Sequence, residues 1–171
     1  PDIHVVTLED DNDLYKIFSN STPDWGVALA VPSSNLIIFK ENRSNIEHIF
    51  KHEISHIFLH YLMDGNIPRW FDEGVAEYFS KAWNVADDFK ISLATLSGIP
   101  RLVDLEGMYL TGQYRAGILY QLSYIAVNYL VDNFGERVIH NIALSAREYD
   151  SFEQAFHMNT GITVNEFQVQ L

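Results

Sequence analysis

At 171 residues the chain is long enough for one domain with a sizeable core, and its 47% apolar and 13% aromatic content excludes a disordered polymer. The balance of 23 acidic against 11 basic residues, a net charge of −12, disfavours nucleic acid and anionic membrane surfaces, which need clustered Lys and Arg. The absence of cysteine excludes disulfide scaffolds and thiolate metal sites, leaving histidine and carboxylate as metal ligands.

The chain opens Pro1-Asp2-Ile3-His4, with neither a basic segment nor an apolar stretch of the secretory type, and no apolar run approaches the ~20 residues of a membrane helix. A leading proline is expected of a processed or trimmed chain, from which any export signal or anchor would be missing. The compartment is therefore left open, exported or membrane-anchored in a longer protein, and this piece is expected to be soluble without membrane insertion.

In chain order, residues 3–8 form a strand candidate, followed by caps at 10–13 for a short helix over 14–18 and turn material at 19–23. Residues 26–31 and 36–40 read as two further strands, joined by Pro32-Ser33-Ser34-Asn35 as a hairpin. From Ser44 the pattern turns helical. Ser44 and Glu47 have the spacing of a capping box, and apolar residues at helical spacing continue to Leu62. Gly65 and Pro68 stop that helix and let a second begin near Pro68. Further helices are expected over 87–97, 114–134 (ending at Gly135), 136–147, 152–156 and 164–169. Sheet first and helices after predicts a single α+β domain over residues 1–171. Its small N-terminal mixed or antiparallel sheet lies in residues 1–43, and its mostly helical remainder, residues 44–171, carries the site.

The chemistry concentrates in His52-Glu53-Ile54-Ser55-His56. On a helix of ~3.6 residues per turn the two histidines stand one above the other, so both imidazoles can bind one metal ion with Glu53 beside them as a base. Glu73, seventeen positions past His56, offers a third ligand. The competing reading of so short a pattern is a helix whose histidines are buried and satisfied by neighbours. His48 and His60 extend the stripe by a turn each way. One ion cannot reach four histidines over three turns, because a turn rises ~5.4 Å and zinc–nitrogen bonds are ~2.0–2.1 Å. His48 is therefore placed along the cleft and His60 in packing or hydrogen bonding.

The helical context of these residues, and the pattern Trp-x-x-Glu-Gly-x-Ala at Trp70 to Ala76, resemble the gluzincin metallopeptidases, closest to the aminopeptidase-like and peptidase MA-like branches. The likeness covers residues 48–78. It implies a zincin-like fold, one zinc ion per chain held by His52, His56 and Glu73, Glu53 as general base, and a peptide or protein substrate. It further implies Glu77 as the carboxylate that orients a ligand histidine, and a tyrosine on the long helix that stabilises the oxyanion. Tyr120 matches that tyrosine best, with Tyr114 next. A strand, 26–31 or 36–40, would be the sheet edge that pairs with substrate. The Gly-x-Met-Glu-Asn segment by which aminopeptidases bind a free amine is absent, since Glu41-Asn42 lacks the glycine. Endopeptidase action is thus expected over aminopeptidase action. Alternatives from other classes are a catalytically silent zincin-fold protein-binding module and a peptidase controlled by a segment outside this chain. Manganese or cobalt would accept the same ligands.

Overall fold

The structure, a computed structural model, describes residues 2–9, 28–40, 45–64, 67–80, 100–105 and 113–171, with residues 113–116 described by their backbone. The expected helices at 14–18 and 87–97, the caps at 10–13, the turn at 19–23, Gly26, Ser44, Gly65 and the Tyr114 side chain lie outside these.

Three strands form a mixed sheet: β1 (His4–Leu8), β2 (Ala28–Val31) and β3 (Leu36–Lys40), in the order β1-β3-β2. Strand β3 runs parallel to β1 and antiparallel to β2. The β2–β3 hairpin closes through a 3-10 turn at Pro32–Ser34 and Asn35 at φ 48°, a left-handed conformation that asparagine tolerates better than most residues. Side chains alternate across β3. Ile37 and Phe39 face a helix, while Ile38 packs with Leu8 on the other side. The order corrects one expectation: β3 is the middle strand, so residues 36–40 cannot be an edge. Among the described residues the antiparallel edge is β2.

The helix beneath this sheet is α1 (Ile46–Met63), which meets Ile37, Phe39 and Ala28 through Ile57, Ile49, Phe50 and Ile54. It begins at Asn45, in a left-handed conformation with no side-chain cap, and Glu47 bonds Lys51 at 2.6 Å. Asp64, at φ 49°, ends it by donating its N–H to the His60 carbonyl at 3.1 Å. Pro68 then precedes α2 (Arg69–Ser80), and its carbonyl accepts from the Phe71 and Asp72 amides. The chain therefore turns back and lays α2 against α1.

Four more helices complete the described fold: α3 (Gln113–Phe134), α4 (Arg137–Tyr149), α5 (Phe152–Thr160) and α6 (Val164–Gln170). Gly135, at φ 84°, separates α3 from α4. Ser151 caps α5, and Thr163 with Glu166 forms a capping box on α6. The main core gathers aromatic rings around fully buried Trp70, which contacts Phe71, Phe152, Phe156 and Phe167 at centroid distances of 5.5–6.3 Å. The last two helices thereby anchor the first turn of α2, next to Glu73. Strands first and helices after make this an α+β fold. No helix among the described residues is long and apolar enough to cross a membrane.

Candidate metal centre

Helical periodicity sets the positions of the polar residues that break these apolar faces. On α1, His52 and His56 are one turn apart, and their Nε2 atoms lie 3.2 Å from each other. Across from them, α2 brings Glu73 Oε2 to 3.4 Å from His52 Nε2 and 3.6 Å from His56 Nε2. Ligand bonds of about 2.05 Å meeting at tetrahedral angles would space donor atoms about 3.3 Å apart. The triangle has that size, and two imidazoles with one carboxylate are a donor set that suits a divalent transition metal. These three residues could hold a metal ion.

The arrangement is also electrostatically demanding. Glu73 is 6% exposed and Glu53 9%, so two carboxylates are buried beside two histidines. Burial alone would lower the His56 pKa. The charge and hydrogen bond of Asp72, joined by Glu73 and Glu53, outweigh it and push the value up to about 10. Burial acts on His52 in the same direction, and the hydrogen bond to Glu73 reverses it, leaving the pKa raised. A proton held on His56 supplies part of the positive charge that a cation would bring. Desolvation and the Glu73 charge hold the Tyr120 phenol above its ordinary value, so it keeps its proton.

The far nitrogens of both candidate ligands meet carboxylates. His52 Nδ1 lies 3.4 Å from Glu77 Oε1, the residue expected in that role. His56 Nδ1 lies 2.7 Å from Asp72 Oδ1, a contact the sequence reading did not anticipate. Asp72 Oδ2 is also 3.2 Å from His60 Nε2. The signal for Asp72 was present in its spacing. It directly precedes Glu73, and adjacent helical residues point about 100° apart, so one faces the ligand triangle and the other the next turn of α1.

The other expected residues fall as follows. The Tyr120 ring, on α3, stands edge-on to His52 at a centroid distance of 6.2 Å. His48 does not join the triangle, and its Nδ1 lies 2.7 Å from the carbonyl of Ser80, tying the first turn of α1 to the last of α2. His60 is hydrogen-bonded, as expected. Arg69, which the sequence reading passed over, has Nε 3.6 Å from Glu73 Oε1, the oxygen turned away from the triangle. An apolar pocket of about 460 Å³ lies between α1, α2 and α4, and none of His52, Glu53, His56 or Glu73 lines it.

Comparison of the chain with protein-family models, curated proteins and solved structures gave no match. The functional reading therefore rests on the geometry and on the residues themselves.

Proposed function

We propose that the chain is a zinc-dependent peptidase that cleaves internal bonds of peptide or protein substrates. The observation that carries the reading is the triangle of His52 Nε2, His56 Nε2 and Glu73 Oε2, with edges of 3.2, 3.4 and 3.6 Å, beside the buried carboxylate of Glu53. His52, His56 and Glu73 would hold one zinc ion per chain. When bound, zinc supplies a Lewis acid that polarises a carbonyl and brings the pKa of a water to about 7.

The remaining work falls to the chain. Glu53 accepts a proton as water attacks the scissile carbonyl carbon, and passes it to the amine nitrogen as the C–N bond breaks. Tyr120 keeps its proton and donates its hydroxyl to the oxyanion formed on the substrate. Asp72 and Glu77 hold the outer nitrogens of the two ligand rings. Strand β2, the antiparallel edge among the described residues, is the strand along which an extended substrate adds as a further strand. The amine-binding segment of aminopeptidases is missing, which favours endopeptidase action.

The test joins elemental analysis to turnover on a broad peptide library, for the native chain and for Glu53→Gln. The variant is expected to keep about one zinc per chain while its turnover falls roughly 10²–10⁴-fold, the usual worth of a general base. Equal turnover in both proteins would refute the assignment of Glu53. A fully zinc-loaded native chain that cleaves nothing would put the protein-binding module in its place.

A further inference from the structure

We infer that Asp72 and His60 together form a positioning pair for His56, so that His60, which is not a ligand, controls metal affinity through Asp72. This rests on the metal-site reading above. An ionised carboxylate only accepts hydrogen bonds, so a ring nitrogen facing it must carry the proton. Asp72 Oδ1, 2.7 Å from His56 Nδ1, therefore holds a proton on Nδ1 and turns Nε2, the nitrogen left to bind a metal, toward the triangle. With one contact alone the carboxylate could swing about its own bond and carry the ring with it. The second contact, Asp72 Oδ2 to His60 Nε2 at 3.2 Å, removes that freedom.

The geometry is anchored at both ends. His56 and His60 stand one turn apart on α1, and Asp72 sits beside Glu73 on α2, so one carboxylate spans a ladder fixed by helix spacing. The two ligand rings are held unequally. The Glu77 contact to His52 is 3.4 Å against 2.7 Å for Asp72 to His56, which makes His56 the more tightly set ring. The His60 side chain is 37% exposed, so replacing it leaves the core untouched.

The experiment loads the full chain with Co²⁺ alone and records both its dissociation constant and its visible absorption bands. These readouts need no peptidase activity. Asp72→Asn is expected to weaken binding about 10–100-fold. His60→Ala should weaken it several-fold and shift the Co²⁺ bands, and His60→Gln, whose amide reaches the same carboxylate, should restore both. In an Asp72→Asn background, His60→Ala should cost nothing further, because the two act as one unit. His60→Ala binding Co²⁺ with native affinity and bands would overturn the inference while leaving the metal site standing. The same holds if His60→Ala costs as much with Asn at position 72 as with Asp. A native chain that takes up no Co²⁺ would overturn the metal reading itself and the inference with it.

Discussion

A Cβ placed on Gly74 would lie 2.4 Å from the carbonyl oxygen of Ser123 and 2.6 Å from Val127 Cγ2. Only a hydrogen fits there, so α2 and α3 approach each other through this glycine. The contact has a functional reach, because Glu73 is its neighbour on α2 and Tyr120 lies one turn before Ser123 on α3. In an open helix Gly→Ala would stabilise by up to ~1 kcal/mol. Here the obstacle is backbone, which cannot rotate away. Gly74→Ala should therefore destabilise by about 1–3 kcal/mol through overpacking. Denaturant unfolding reads the sign directly, and a gain in stability would show that the two helices are not so closely seated.

Glu73 is buried between two histidines, and the substitution that leaves its shape intact is Glu73→Gln. The variant keeps the packing and loses the anionic ligand. Zinc affinity should fall by more than the roughly 10–100-fold that loss of an outer partner costs. Competition against a chelator of known affinity checks this, and an unchanged dissociation constant would remove Glu73 from the ligand set.

Much of this site was legible in the sequence because helical spacing is rigid. Two histidines four apart must share a face, and Pro68 marks the break after which α2 returns along α1. The α+β order and the β2–β3 hairpin were equally plain, from two short, continuous apolar runs joined by Pro32-Ser33-Ser34-Asn35. What escaped was whatever depended on two elements meeting at a given rotation. Asp72 adjoins Glu73 in the sequence, but that its carboxylate reaches both His56 and His60 depends on how α2 lies against α1. Sheet order was likewise hidden: β1 pairs with β3 across 27 intervening residues (9–35), and only that long-range pairing makes β3 the middle strand.

The proton balance gives a prediction whose sign is fixed. In the metal-free fold the His56 pKa is raised to about 10, with Asp72 as the strongest charge that raises it. Asp72 in turn is held well below the usual carboxylate range, because the His56 charge and hydrogen bond outweigh the effect of its burial. A raised histidine contributes stability that is complete below its unfolded value of ~6.5 and is lost as pH climbs toward 10. The depressed aspartate contributes above ~3.9 and loses its effect in acid. The metal-free chain should thus melt at progressively lower temperature between pH 7 and pH 10. The zinc-loaded chain, whose ligand imidazoles are neutral, should lack that alkaline decline. Zinc uptake must expel these protons, so its apparent affinity should rise with pH, by up to tenfold per unit for each proton displaced. Thermal melts with and without zinc across this range make the check, and parallel curves would mean that His56 is not charged in the metal-free fold.

The last prediction concerns the distance between core and site. Trp70 is 2% exposed and touches four other aromatic rings, two of them on α5 and one on α6. It lies three residues before Glu73, on the first turn of α2, so the C-terminal helices hold the third candidate ligand in place through it. Truncating a buried tryptophan leaves a cavity that close-packed neighbours fill only in part, at about 3–5 kcal/mol. That is a large share of the ~5–15 kcal/mol by which domains are stable. Trp70→Ala should therefore be near unfolding at 25 °C without metal. Any ligand that binds only the folded state stabilises it by about 4 kcal/mol at a thousand-fold excess over its dissociation constant. Zinc should accordingly restore a cooperative melt to Trp70→Ala, with a midpoint that climbs as free zinc is raised, and should fail to do so in Trp70→Ala/Glu73→Gln. Equal rescue of the double variant would mean that zinc binds elsewhere than at Glu73.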